Sequence, residues 1–151
     1  MKYIILELIP TSLDPNKGDI IQLSALKIQD LKLIDRFDYR IVDDKVPLDS
    51  MLDMISYDKD KFIYKETTNE ILNDFDIWSE NIDLLIIDNA YTEKYLEKIN
   101  NKKESIFNHL DLKYSDDVID ILIKKYNLVP SNYIVDLLYE ALIYQENLKN
   151  N

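Results

Sequence analysis

Two short, almost wholly apolar segments restrict this chain to a small set of folds. Residues 3–9 read YIILELI and residues 82–87 read IDLLII. Segments of this length, rich in Ile and Leu and without regular alternation of polar residues, are typical of strands that are buried on both faces of a sheet. Such a strand needs a layer of structure above it and another below it. The sequence therefore predicts a sheet with helices on both sides.

The remaining segments predict how that sheet is built. Residues 20–29 and 32–42 are β-rich and are joined by the two-residue turn Asp30-Leu31, so they predict a hairpin beside the first strand and thus a three-stranded meander. Residues 101–104 are predicted to form a polar connection, and Ile106-Phe107 an edge strand. Helices are predicted over residues 47–55, from Thr67 or Thr68 to Trp78, over 91–99, from Ser115 or Asp116 to Tyr126, and over 132–148. The predicted fold class is α/β, a mixed sheet with helices on both faces, in a single domain of residues 1–151.

The scarcity of three residue types excludes several kinds of site. One Gly leaves no P-loop and no dinucleotide-binding fingerprint. The lack of Cys excludes disulfides, thiolate zinc sites and cysteine nucleophiles. The one histidine, His109, excludes multi-histidine metal sites and is expected on a partly exposed loop. No apolar run approaches the roughly 18 residues that span a bilayer, so we predict a soluble, cytoplasmic protein with no membrane partner.

The charge of the chain disfavours nucleic acid as a partner. Acidic residues number 29 against 18 basic ones, which gives a formal net charge of -11. Proteins that bind nucleic acid without specificity show the opposite, basic footprint. Arg36 and Arg40 are the only arginines, so bidentate phosphate contacts are scarce. A nuclease is still allowed, because metal ions can hold a polyanion inside an acidic site.

The order of acidic residues and elements along the chain resembles one known family. Glu7 lies near the end of the first strand, Asn89-Ala90 follow the second apolar strand, and Asp136 lies among apolar residues on the last predicted helix. From residue 3 to residue 148 this order is similar to that of the DEDDh 3′-to-5′ exonucleases, the ribonuclease-H-like group that contains the proofreading subunit of bacterial DNA polymerase III. The resemblance implies a ribonuclease-H-like fold and a two-metal site for Mg²⁺ or Mn²⁺.

The first motif of that family is Asp-x-Glu followed by a Thr-Thr-Gly-Leu-Asp-Pro loop, and its two acids bind the metal ions. Glu7 stands at the position of the first acid, but Ile9 stands at the position of the second. An alkyl side chain cannot coordinate a hard cation, which takes oxygen ligands. The loop itself matches at Thr11, Leu13, Asp14 and Pro15.

The second motif, His-Asn-Ala-x-Phe-Asp, corresponds here to residues 88–93. Asn89 and Ala90 match, and Glu93 stands where the family has its metal-binding Asp. The glutamate is one methylene longer, and two-metal chemistry tolerates little displacement of the ion. Weakened activity is the mildest expected consequence.

The third motif is a histidine, the general base, followed five residues later by an aspartate. Aligning Asp136 with that aspartate places Ser131 at the position of the histidine. Serine does not accept a proton near neutral pH as an imidazole does. The resemblance therefore implies that the general base is missing.

Each of these acids also has a structural explanation. Glu7 within an apolar strand would cost several kcal/mol unless it is paired, bound to metal or exposed at the strand end. Glu93 is predicted in the first turn of a helix, where acids favour the helix dipole. Asp88, which directly precedes that helix, is expected to be an N-cap.

Three hypotheses remain from the sequence. The preferred one is an exonuclease-like domain with a degenerate two-metal site of Glu7, Glu93 and Asp136, inactive, that binds a protein partner or, less favoured by charge, nucleic acid. The second is an active exonuclease that uses these three acids, with or without Asp88, together with Mg²⁺ or Mn²⁺. The third, based on the net charge of -11, is an acidic inhibitor or nucleic-acid mimic. The first two predict that Glu7, Glu93 and Asp136 converge in one cleft.

Overall fold

A five-stranded mixed sheet forms the centre of the molecule. The computed structural model describes residues 1–40, 68–131 and 133–149. The strand order in the sheet is β3-β2-β1-β4-β5. Strands β1 to β3 pair antiparallel, whereas β4 pairs parallel with both β1 and β5. The strands are β1 (Lys2–Pro10), β2 (Ile20–Gln29), β3 (Lys32–Arg40), β4 (Asp83–Ile86) and β5 (Lys103–Ser105).

Helices cover both faces of this sheet. The described helices are α1 (Thr68–Ser79), α2 (Thr92–Tyr95), α3 (Phe107–Leu110), α4 (Val118–Tyr126) and α5 (Ile134–Lys149). None of the helices in the described ranges is both long and apolar enough to cross a membrane. The helix predicted over residues 47–55 lies outside the described residues.

Strand β1 has the central position and the two buried faces that its sequence predicts. Ile4, Leu6 and Leu8 pack on one face, in a core that includes Ile71 and Phe75 of α1. Tyr3 and Ile5 pack on the other face, in a core that α4 and α5 complete. The predicted α/β fold class, with the meander on one side of β1 and the parallel strand on the other, is confirmed.

The structure corrects the sequence prediction around β5. Lys103 and Glu104, predicted in a polar connection, belong to this strand, and the predicted edge strand at Ile106-Phe107 is wrong because Phe107 begins helix α3. A short strand at the sheet edge accepts polar side chains, since one side of it faces solvent. Ile106 and Phe107 are instead buried in the core beneath α4 and α5, and His109 lies on α3 rather than on a loop.

The remaining helices differ from prediction mainly at their ends. The helix predicted over 91–99 is one turn long and ends at Tyr95, although Leu96 and Ile99 are buried beyond it.

Two residues with positive φ, Asp30 (51°) and Leu31 (68°), form the two-residue turn between β2 and β3. This backbone matches the twist of a hairpin, so the predicted turn is present.

A buried lysine joins the sheet to the end of α1. Lys27 is 4% exposed. Its ammonium donates hydrogen bonds to the Trp78 carbonyl (2.6 Å) and to Glu80 Oε1 (2.9 Å), and lies 4.4 Å from the centre of the Trp78 ring. These partners satisfy a charge that would otherwise be costly to bury.

We expect Lys27→Ala to lower the free energy of unfolding by about 1–3 kcal/mol, because it removes charged hydrogen bonds inside the protein. Glu80→Gln should cost less, since the carboxylate is exposed and the bond to the Trp78 carbonyl survives. Urea denaturation measures both, with the exposed Lys32→Ala as control. A loss for Lys27→Ala no larger than that of the control would contradict this account.

Candidate functional site

The ends of β1 and β4 form a cleft. Because these strands are parallel neighbours, with Leu6 beside Ile86, their carboxyl ends meet at one edge of the sheet. Open α/β sheets place ligand sites at such edges.

 A volume of about 100 Å³ limits what this cleft can hold. Pockets for drug-sized ligands measure roughly 300–1,000 Å³, so the cleft as it stands is too small for such a ligand.

Glu7 lines this cleft and is 3% exposed. Its Oε1 accepts a hydrogen bond of 3.4 Å from the Gln22 side chain, which also donates to the Ser24 hydroxyl (3.2 Å). Ser24 in turn donates to Asp38 Oδ1 (2.8 Å). These bonds form a polar track across β1, β2 and β3 that consists of Glu7, Gln22, Ser24 and Asp38. The sequence predicts that Glu7 needs a partner, a metal ion or exposure, and in the structure it has a hydrogen-bonding partner in Gln22.

Two tyrosines line the cleft beside Glu7. Burial, and then electrostatic interaction with Tyr114 and Glu7, raises the pKa of Tyr91 to about 12. Burial, and then Asp116 and Asp88, raise the pKa of Tyr114. Both hydroxyls are therefore neutral at physiological pH, in a cleft whose charged groups are acidic.

Ile9 also lines the cleft and contributes hydrocarbon where the resembled family has its second acid. Its side chain is 8% exposed and packs with Ile21. No oxygen ligand is available from this position.

Glu93 belongs to a different cavity. It is exposed in the first turn of α2 and lines a cavity of about 420 Å³ with Asn89, Lys94, Glu97 and Lys103. Two lysines thus accompany the two glutamates of that cavity.

The turn that leads into α2 is held by Asn89 rather than by Asp88. The Asn89 side-chain oxygen accepts hydrogen bonds from the backbone N–H groups of Tyr91 (3.3 Å) and Thr92 (2.8 Å). Asp88, expected to be the N-cap, instead accepts a hydrogen bond of 2.8 Å from the Ser105 hydroxyl. The amide one residue further on reaches the free N–H groups, so the N-cap prediction for Asp88 is wrong.

Asp136 is engaged in an ion pair with β3. Its Oδ1 lies 2.6 Å from Nη2 of Arg36, and both side chains are about one-third exposed, at 32% and 39%. The Arg36 guanidinium also lies 5.9 Å from the centre of the Tyr133 ring. Asp136 lines neither the Glu7 cleft nor the Glu93 cavity as the described residues define them.

Ser131 has a structural partner at the entry to α5. Its hydroxyl accepts a hydrogen bond of 3.1 Å from the Tyr133 N–H. Serine commonly closes a turn in this way before a helix. Ser131 therefore shapes the approach to α5 and supplies no imidazole.

The structure does not bring the three predicted ligands together. Glu7, Glu93 and Asp136 lie in a cleft, in a second cavity and in an ion pair respectively. Within residues 1–40, 68–131 and 133–149, no group of three or more acidic or histidine side chains is placed to hold a metal ion. The described residues therefore do not fit the two-metal centre that the resemblance implies.

The polar track is not among the features predicted from the sequence, although a signal for it is present. Gln22 and Ser24 are polar residues two positions apart in an otherwise apolar part of β2. Side chains two apart point to the same face of a strand, so two such polar residues predict a shared partner on that face.

The loop after β1 keeps the family-like residues in structural roles. The Thr11 hydroxyl accepts a hydrogen bond of 2.9 Å from the Asp19 N–H, and the Asp14 carbonyl accepts bonds of 3.0 Å from the N–H groups of Lys17 and Gly18. A Cβ atom at Gly18 would clash with the Tyr95 hydroxyl and approach Ser12. The one glycine of the chain is needed for this close approach.

Comparisons with known proteins support the fold through structure alone. No family model matches the sequence, and no curated protein matches it. Similar solved structures include exonuclease X in complex with 5′-overhanging duplex DNA, with a TM-score of 0.69 and 11% identity over 99% of this chain and 93% of that one. The nuclease domain of 3′hExo, a DEDDh family member bound to rAMP, gives a TM-score of 0.66 and 16% identity over 99% and 92%.

A third similar structure contains a metal ion. It is the zinc-bound form of an exonuclease I complex with single-stranded DNA from E. coli, with a TM-score of 0.65 and 10% identity over 99% of this chain and 41% of that one. At these identities the likeness establishes the fold, which is the ribonuclease-H-like fold of DEDDh exonucleases. The specific resemblance to the proofreading subunit of DNA polymerase III stays a prediction.

Proposed function

We propose that this domain has the exonuclease fold without exonuclease chemistry, and that it acts as an interaction module for a protein partner. The observation that carries the proposal is the dispersal of Glu7, Glu93 and Asp136 among three separate environments. Two-metal catalysis needs its carboxylates to converge, because the ions that they hold lie about 3.5–4 Å apart.

The substitutions at two positions support the same conclusion independently. Ile9 removes an oxygen ligand at the end of β1, and Ser131 removes the general base that the family resemblance implies. Asp136 would have to leave Arg36 before it could coordinate an ion, at the cost of a 2.6 Å charged contact.

The electrostatics of the cleft favour a protein partner over nucleic acid. Glu7 and Asp116 line it, and the charge of the whole chain is -11. Without metal ions to screen these carboxylates, a phosphate backbone is repelled. Arg36, the arginine whose side chain is described, is already paired with Asp136.

Titration calorimetry with Mg²⁺ and with Mn²⁺ tests the loss of the metal site. We expect no saturable binding up to millimolar concentrations, because no three ligands converge among the described residues. An intact exonuclease of the same fold is the positive control. Saturable binding that Glu7→Gln abolishes would overturn the proposal, whereas weak binding that Glu7→Gln leaves unchanged would be ascribed to the acidic surface and would support it.

A further inference from the structure

A further cavity lies at the amino-terminal ends of β1 and β4, opposite to the cleft. It has a volume of about 410 Å³, within the range of pockets that hold small organic ligands. Tyr3 of β1, Leu85 of β4 and Leu142 of α5 give it apolar walls. None of the residues discussed for the exonuclease-like site lines it.

Tyr3, which lines this cavity, has a hydroxyl without a hydrogen-bond partner among the described residues. The residue is 8% exposed, yet its hydroxyl makes no hydrogen bond with any described residue. Other buried tyrosines differ in this respect, since the Tyr126 hydroxyl donates to the Leu110 carbonyl (3.0 Å) and that of Tyr95 to the Ser12 carbonyl (2.7 Å). Buried polar atoms are almost always satisfied, so an exception calls for an explanation.

Acidic residues line the cavity together with Tyr3. Burial, and then the charges of Glu146 and Tyr139, raise the pKa of Tyr3 to about 12, so the hydroxyl is neutral at physiological pH. Glu146, Glu104, Asp83 and Asp30 all line the cavity, against Lys2 and the Met1 amino group as the cationic groups.

Some of these charged groups are already in ion pairs, and the lining of the cavity as a whole remains acidic. The Met1 amino group lies 2.7 Å from Asp30, and Lys149 lies 3.6 Å from Glu146. His109 Nε2, 3.4 Å from Glu104 Oε1, is a second buried atom without a hydrogen bond among the described residues. The chemistry of the lining therefore favours a ligand that is cationic, donates hydrogen bonds and has an apolar body.

We propose that this cavity binds a small organic ammonium ligand, a primary amine on a short apolar chain. The ammonium pairs with Glu146 and, after a small rotation of the Tyr3 side chain that exposes its oxygen, donates a hydrogen bond to that oxygen. The apolar chain packs against Leu85 and Leu142. An anionic ligand is disfavoured by the four carboxylates. A metal ion is disfavoured because no three ligands are grouped for it among the described residues.

The test is titration of the whole protein with phenethylammonium chloride, followed by calorimetry and by protein-observed NMR. Phenethyl alcohol, which has the same apolar body and no charge, is the matched ligand. We expect saturable binding of the amine and binding of the alcohol at least tenfold weaker. Chemical-shift changes should centre on Tyr3 and Leu142.

Three variants assign the binding to the cavity. Tyr3→Phe and Glu146→Gln should each weaken amine binding by about tenfold, the size expected for a charged hydrogen bond. Glu140→Gln, an exposed change of the same kind on the same helix, should bind like the parent protein. Tyr3→Phe should also leave the melting temperature unchanged or raised, because it removes a hydroxyl without a partner.

Two results would overturn the proposal. One is equal binding, or no binding, of the amine and the alcohol. The other is amine binding that Tyr3→Phe and Glu146→Gln leave unchanged, which would assign it to the general acidic surface. Neither result depends on the outcome of the metal titration, since the two sites share no residue that either argument uses.

Discussion

Labelled single-stranded DNA or RNA is expected to survive incubation with this protein and Mn²⁺ or Mg²⁺, or to be degraded orders of magnitude more slowly than by an intact DEDDh exonuclease. The absence of a general base alone typically costs about 10²- to 10⁴-fold. Ile9 at a ligand position and Asp136 in an ion pair are expected to weaken metal binding as well. These losses need not multiply, because groups that act as a unit are not additive.

The matched control is a Glu7→Ala, Asp136→Ala double variant prepared in parallel, with its fold checked by circular dichroism. Degradation that the parent protein shows and the folded double variant lacks would refute the inactive assignment and establish the variant-site exonuclease. Degradation that persists equally in the variant comes from a contaminating nuclease and leaves the expected result intact. Native gels of the same mixtures show whether the strand is bound without being cut, and we expect no retention.

Stability is expected to fall steeply as the pH rises from 10 towards 12. The pKa values of Tyr3, Tyr91 and Tyr95 are raised from 10.0 to about 12, in each case chiefly by burial. Unfolded chains therefore lose these protons at lower pH than the folded protein does. The contribution of each tyrosine is complete below pH 10, and it is lost as the pH rises through the folded pKa.

The size of this effect is large for a domain of this length. Tyr3 and Tyr95 are 8% and 4% exposed. With one pKa unit equal to about 1.4 kcal/mol, and with allowance for solvent screening, each is expected to remove about 1–3 kcal/mol by the end of the range. Total stabilities are commonly only about 5–15 kcal/mol.

Urea denaturation across this pH range measures the loss, and the ultraviolet absorbance of tyrosinate follows the titration. Tyr3→Phe and Tyr95→Phe should each flatten the dependence of stability on pH. Tyr144→Phe, at a half-exposed side chain, is the matched control. A stability that stays level from pH 10 to 12 would contradict burial of these hydroxyls.

The parts of this fold that could be predicted from sequence are those that local patterns determine. Continuous apolar runs identified β1 and β4, and the two-residue turn at Asp30-Leu31 identified the hairpin. Strand β5 escaped prediction because Lys103 and Glu104 carry no strand pattern. Their pairing with β4 is a tertiary contact that fixes them in the sheet.

The candidate site was predictable in its residues but not in its geometry. The sequence alone predicts that Ile9 cannot be a metal ligand and that Ser131 cannot be the general base, because the identity of a side chain decides whether it can take either role. The ion pair of Asp136 with Arg36 joins residues 100 positions apart. Such a pair depends on the register of β3 and the rotation of α5, neither of which a local pattern encodes.

The loop that follows β1 is held together by bonds that have no part in catalysis. Thr11 and Asp14 resemble a nuclease motif, yet here their oxygens accept backbone hydrogen bonds that shape the loop, and Tyr95 fastens it through the Ser12 carbonyl. The demands of folding hold these residues in place whether or not the cleft is catalytic, so this part of the motif carries no information about activity. In comparisons between sequences of this fold, the residue at the position of Ile9 is the informative one, because it decides whether β1 offers a second oxygen ligand.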